Sequence, residues 1–191
     1  MSRILAARTL SVVGHPALLM PGAIALSGTN AKVPPQLMQA ALASAALVAV
    51  IVGLFSLRQV RSGRWAHVDA SHPRERGQLN LFLTLLLFGA AALLWSLGQP
   101  QSVVAGAALA GTLVVAAHLL RRWLKVSLHA AFAVFAAALV WPGVASLSLM
   151  LALAAGVAWS RLVLQRHTLA EVLVGLLLGS ASGLVFNLAV R

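Results

Sequence analysis

Cysteine is absent from this 191-residue chain, and Asp and Glu together number only three. Without a thiol there is no disulfide and no thiolate chemistry. Six histidines and three acids are a poor ligand supply for a structural zinc site, which takes four Cys, His or acidic ligands. Neither a metal nor a cofactor is expected. Charge of either sign is scarce, at 9% of residues, against about 25% in an ordinary soluble domain. No Asp, Glu, Lys or Arg falls in the middle of an apolar run, and only His118 and Asn187 sit at moderate depth. Ion-coupled transport uses ionisable groups at membrane depth, so this distribution argues against it.

What is abundant is apolar. Hydrophobic residues make up 61% of the chain and the mean hydropathy is +0.95. Soluble domains average about 45–50% apolar. This is the composition of an integral membrane protein, and the length fits one membrane domain over residues 1–191. The net charge of +11 does not mark a nucleic-acid binder. The basic residues lie in short loops between apolar runs, where they set topology and meet anionic lipid or phosphate.

Uncharged runs mark the spans. Residues Met1 to Arg8 are basic and precede an apolar stretch without a small-residue cleavage site, so they read as part of a retained first helix. Thr9–Ala31 is the first run, with Pro16 and Pro21 kinking it or making it re-entrant. Val33–Leu57 is the second. Gly77–Leu120 is too long for one crossing, which needs about 20 residues, and it folds back around Gly98-Gln99-Pro100-Gln101. Val126–Ser160 is double too, broken at Trp141-Pro142-Gly143, with halves near the lower limit of roughly 17 residues. Val172–Val190 is the last. The expected fold is all-α: a polytopic transmembrane bundle of six full spans plus an irregular or re-entrant first segment.

Trp95 and Trp141 flank the turns on one side, and Trp123 and Trp159 end segments on the other, as an interfacial belt requires. Of the fourteen Lys and Arg residues, Lys32 and Arg191 fall on one face. The other face carries the remaining twelve: Arg3, Arg8, Arg58, Arg61, Arg64, Arg74, Arg76, Arg121, Arg122, Lys125, Arg161 and Arg166. The positive-inside rule places that face in the cytoplasm. Setting aside Arg74, Arg76, Lys125 and Arg161 leaves eight against two, and the assignment stands.

Three groups of residues gather on the basic face. His167 and Glu171 are four apart at the entry to the last helix and share a face. A carboxylate there fixes an imidazole's tautomer, as a histidine nucleophile or base needs. The same pair also reads as a helix start with an acid in its first turn. Arg161 stands six residues before His167. Its planar fork suits phosphate, and it reads equally as a topological anchor. Lys125, Ser127 and His129 alternate before an apolar helix. Ser127 can cap that helix, and the exposed N–H groups of a helix start also bind anions. His129 also reads as an interfacial histidine. Arg74-Glu75-Arg76 follows Pro73 and reads either as a solvated loop or as further phosphate contacts. His15, His67, His72 and His118 have no partner at a telling spacing and read as structural or interfacial, with His72 the candidate exception. Gly175, Gly179 and Gly183 continue the Glu171 face in four-residue steps, the small-xxx-small pattern of close helix contact.

Taken in order, these residues resemble the phosphatidic acid phosphatase type 2 / vanadium haloperoxidase superfamily. Its usual signature runs Lys…Arg-Pro, then Pro-Ser-Gly-His, then Ser-Arg-x5-His-x3-Asp. Ser160-Arg161 with His167 and Glu171 matches the third motif, with Glu for Asp. Ser127-Leu128-His129 matches the second, with Leu for Gly and Val126 for Pro. Arg74-Glu75-Arg76 is similar to the Arg-Glu-x-Arg segment of a divergent membrane branch, in which Lys-x-Ser-x-His replaces Pro-Ser-Gly-His. The resemblance covers about residues 69–185.

The resemblance implies metal-independent hydrolysis of a phosphate monoester or diphosphate through a phosphohistidine. His167 would attack phosphorus with Glu171 orienting its ring. His129 would protonate the leaving oxygen and then activate water. Lys125, Ser127, Arg161, Arg76 and Arg74 would hold the phosphoryl oxygens. The expected partners are a lipid phosphate or isoprenyl diphosphate substrate and the surrounding lipids, in a plasma membrane such as the bacterial inner membrane. The alternative is a non-catalytic protein of the same fold that binds lipid phosphate or a partner. A small transporter or channel component is a third reading.

Overall fold

The computed structural model describes residues 2–31, 34–70 and 72–190, without the side chains of residues 29–31. Lys32 and Arg191, the two cations assigned to the sparse face, lie outside the described residues, as does Val33. Every regular element among the described residues is helical. In chain order these are α1 (Ser2–Val13), α2 (Pro16–Ala31), α3 (Pro35–Arg61), α4 (Pro73–Ser96), α5 (Gln101–Leu120), α6 (Leu128–Leu139), α7 (Val144–Val163) and α8 (Leu169–Ala189).

Five of them, α3, α4, α5, α7 and α8, are long and apolar enough to cross a membrane. The chain is thus a helical membrane protein. The first segment is broken: Ser2–Val13 and Pro16–Gly28 meet at 62°. Gly14 and His15 form the break, and Pro16 opens α2, where a missing N–H costs nothing. Pro21 lies inside α2. The remaining element, α6, has 12 residues and rises only about 18 Å at 1.5 Å per residue, against a hydrocarbon thickness of about 30 Å. The sequence predicts six full spans; the described helices provide five of full length, the bent pair and this short one.

Helix α6 is central rather than lipid-facing. Ala130, Ala131, Phe132, Ala133, Phe135, Ala136 and Ala137 are all buried. On one side its alanines pack with Leu19 and Ala23 of α2 and Met150, Ala154 and Val157 of α7. On the other, Ala131, Phe132 and Phe135 pack with Leu87 of α4 and Leu113 and Val114 of α5. Helix α8 closes on it through glycines, as the four-residue spacing predicts. A Cβ on Gly175 would sit 2.6 Å from the Ser127 carbonyl oxygen, and one on Gly179 would run into the Ala131 carbonyl. Without a solvophobic force between helices in lipid, this backbone-to-backbone approach is what holds such pairs together.

The helix ends follow the turn chemistry. Helices α3, α4 and α7 each stop in the same paired motif, with a residue in the left-handed region just past the end. Gly63 (φ +70) and Gly98 (φ +65) serve α3 and α4, but Gln165 (φ +52) serves α7. Helix α4 starts at Pro73, before the uncharged run begins at Gly77. Glu75 accepts from the Ala66 N–H at 2.9 Å and the His72 N–H at 3.2 Å, so it pins the preceding loop.

Candidate active site

The motif that ends α7 aims the chain into the site. Gln165 N–H donates to the Leu162 carbonyl at 3.0 Å, and Arg166 N–H donates to the Arg161 carbonyl at 3.0 Å. His167 N–H reaches the same Arg161 oxygen at 3.3 Å. One carbonyl thereby anchors the whole connection from Arg161 to His167. Helix α8 then opens with a reciprocal cap. Glu171 N–H donates to Thr168 Oγ1 at 3.3 Å, and Thr168 N–H donates to Glu171 Oε2 at 3.0 Å.

The cap places the Glu171 carboxylate beside His167. His167 Nδ1 lies 3.1 Å from Glu171 Oε2 and 3.0 Å from the Lys125 carbonyl oxygen. Both partners are acceptors, so Nδ1 carries the proton and the lone pair of the neutral ring is on Nε2. Burial pushes the His167 imidazole down to about 4, helped by the positive charges of Lys125 and Arg161 and opposed by Glu171. The ring is therefore neutral near pH 7, with Nε2 available for nucleophilic attack.

The start of α6 is bonded to the start of α8. Ser127 N–H donates to the Glu171 carbonyl at 3.1 Å. The Ser127 side chain is fully buried, and its Oγ caps α6 by accepting from Ala130 N–H at 3.5 Å. This is a structural position, and Ser127 does not line the cavity described next. Lys125 Nζ donates to the Arg166 carbonyl at 2.9 Å. Burial and the neighbouring Arg76 hold its ammonium below the ordinary lysine range.

Lys125, Arg76, Arg161, His129 and His167 line one end of a cavity of about 1070 Å³. The rest of its wall is mainly apolar, from α2, α3, α4, α5 and α8, and reaches Phe186 and Val190 at the far end of α8. That helix has 21 residues, a length of about 30 Å, similar to the hydrocarbon thickness. Arg161 is buried; its Nη1 donates to Ser11 Oγ at 2.7 Å, while Nε has no hydrogen-bond partner among the described residues. A buried guanidinium with a spare donor is suited to an anion. Arg74, in contrast, is exposed and is not part of the cavity wall. Of the expected site residues, the fold brings together His167, Glu171, His129, Lys125, Arg161 and Arg76. It assigns Ser127 to a cap and leaves Arg74 outside.

Three residues enter the site without having been singled out by spacing. His15 packs edge-on against His129, with ring centroids 5.0 Å apart and an interplanar angle of 83°. Ser11 holds Arg161, and Asp69 lines a smaller pocket with Ser11, His15 and His129. The available signal was Gly14-His15-Pro16, a helix breaker followed by a favoured first helical residue.

Comparison with protein-family models, with curated proteins and with solved structures finds no match to this chain.

Proposed function

We propose that the protein is a membrane phosphatase that hydrolyses a lipid phosphate or isoprenyl diphosphate through a phosphohistidine. In this reading it is a divergent member of the phosphatidic acid phosphatase type 2 superfamily. The observation that carries it is the state of His167: neutral, with Nδ1–H bound by two acceptors and its Nε2 lone pair left over, in a cavity whose cations include Lys125, Arg76 and Arg161. Nε2 attacks phosphorus, the bond to the leaving oxygen breaks, and that oxygen takes up the proton carried by the phosphate monoanion, relayed through His129. His129 then takes a proton from water, which attacks the phosphohistidine and frees phosphate, restoring His167. The cations offset charge on the phosphoryl oxygens in both steps, which is most of what phosphoryl transfer requires. The apolar wall accommodates the lipid tail. We read the topology as six crossings plus the broken first segment, with α6 crossing inside the bundle and the site facing the cytoplasm across a plasma membrane.

A non-catalytic lipid-phosphate binder of the same fold is the second reading. It is favoured by two of the expected phosphate ligands being engaged internally: Ser127 as a cap and Lys125 on the Arg166 carbonyl. Phosphate release from a panel of lipid phosphates and diphosphates separates the two, using detergent-purified protein with EDTA present. Turnover by wild type and none by His167→Ala supports the phosphatase. Tight binding of the same lipids without turnover supports the second reading.

A further inference from the structure

The break between α1 and α2 carries two side chains that touch two different members of the site. Ser11, in the last turn of α1, accepts from Arg161 Nη1 at 2.7 Å. His15, just before α2, sets its ring against that of His129. The His15 contact is not left to a mobile side chain. His15 Nδ1 accepts from Ala17 N–H at 3.2 Å, so the imidazole itself caps α2, and its ring is oriented by that bond. With Nδ1 accepting, the neutral ring carries its proton on Nε2. Gly14 lies against α7 so closely that a Cβ would collide with the Val157 side chain and sit 2.8 Å from the Leu10 carbonyl oxygen. Val157 is one turn before Arg161. The 62° bend is thus seated on α7 at the level of the site, with Ser11 and His15 facing into the small pocket that also contains Asp69 and His129.

We infer that Ser11 and His15 are positioning residues, Ser11 for the Arg161 guanidinium and His15 for the His129 ring. The inference rests on the reading of Arg161 and His129 as working parts of the site. Arg161 has several staggered torsions along its chain, and one hydroxyl on Nη1 selects the rotamer. A ring wall does the same for His129. Displacement of a catalytic group by about 1 Å can cost on the order of 10²-fold in rate. The N-terminal pair is in this sense the last wall of the site rather than a membrane anchor.

The test uses the full chain in detergent with four variants. His15→Asn keeps the acceptor that caps α2 and removes the ring; His15→Phe keeps a ring and removes the cap. Ser11→Ala removes the hydroxyl and Ser11→Thr restores it. His15→Asn should lower kcat roughly tenfold with KM little changed, and His15→Phe should retain most of the rate. Ser11→Ala should raise both KM and the inhibition constant of inorganic phosphate several-fold, with recovery in Ser11→Thr. Wild-type rates in His15→Asn and Ser11→Ala overturn the inference, as does a loss in His15→Phe equal to that in His15→Asn. If the wild type releases no phosphate, the phosphatase reading fails, and two readouts still decide this one. They are the ring ¹⁵N signals of His129 in His15→Asn and the affinity for inorganic phosphate in Ser11→Ala. Both unchanged from wild type would overturn it; both altered would uphold it.

Discussion

The backbone N–H of Ser127 donates to the Glu171 carbonyl across 3.1 Å, so α6 and α8 begin from a shared hydrogen bond. Glu171 orients His167 with its side chain and holds the start of α6 with its main chain. Two residues further on, His129 leaves α6 towards the same cavity. The relative placement of the two histidines is therefore set by backbone, on elements that are packed through Gly175 and Gly179.

A methyl group at Gly175 tests this arrangement. The new Cβ would meet the Ser127 carbonyl oxygen at 2.6 Å, and the obstacle is backbone. Gly175→Ala should destabilise the protein by about 1–3 kcal/mol and lower activity more than the loss of folded protein accounts for. Thermal unfolding in detergent, beside specific activity at a temperature where both proteins are folded, measures the two effects. An unchanged midpoint would mean that α8 has room to retreat.

Glu171→Gln keeps the size of the side chain and removes its charge. The amide can present its N–H₂ to Nδ1 and favour the wrong tautomer, with the proton on Nε2. The expected loss is about 10²-fold or more in kcat with a modest change in KM. His167→Ala should remove both turnover and the acid-labile phosphoenzyme. Labelled phosphate retained on the His167→Ala protein would show that another residue is the nucleophile.

Protonation of His167 gives a pH dependence with a definite sign. Its folded value of about 4 lies below the ordinary 6.5. Between these values the unfolded chain takes up a proton that the folded chain does not. This contribution to stability is thus complete above about pH 6.5, falls as pH drops through the window, and levels off below about 4. Lys125→Met removes a positive neighbour and should move the His167 titration upward, together with the acid limb of kcat/KM. Histidine-selective NMR across the same range reads the shift directly, and a downward movement would contradict the assigned electrostatics.

Gln165 offers a stabilising change. It adopts φ +52 where α3 and α4 use glycine. A left-handed conformation costs an ordinary residue roughly 1–2 kcal/mol, partly offset in glycine by unfolded-state entropy. Gln165→Gly should gain up to about 1 kcal/mol and leave kcat intact, because the anchoring bonds use main-chain atoms. A lower unfolding midpoint would show that the Gln165 side chain contributes a contact worth more than the strain.

Sidedness is open to a labelling experiment. A cysteine at Gln99 should react with an impermeant maleimide on intact cells, and one at Ser62 only after permeabilisation. The reverse pattern would place the site outside the cytoplasm.

Much of the architecture was legible in the sequence because membrane helices are written in charge and hydropathy. The turns at Gly98-Gln99-Pro100 and Trp141-Pro142-Gly143 were readable from proline and glycine chemistry, and α5 and α7 start where those residues predict. Hydropathy alone would begin α6 at Val126; it was the capping chemistry of Ser127 that pointed to a start at Leu128. The pairing of His167 with Glu171 follows from helical spacing. Which of Arg74 and Arg76 faces the cavity does not, because that depends on how α4 is rotated against α5. The two roles open to Ser127, cap and phosphate ligand, share one sequence signature, and only its full burial separates them. His15 was missed because its partner, His129, is distant in sequence and reaches it through a bend.

The apolar cavity runs alongside α3 and α4, past residues such as Val52 and Leu83, before it reaches Lys125. In the lipid-phosphate reading proposed above, an occupant with a greasy tail would be recruited from within the bilayer, by diffusion in two dimensions. What governs occupancy is then the ligand's mole fraction among neighbouring lipids rather than its amount per volume of water. Adding inert lipid or detergent dilutes the ligand even when nothing has been removed from the tube.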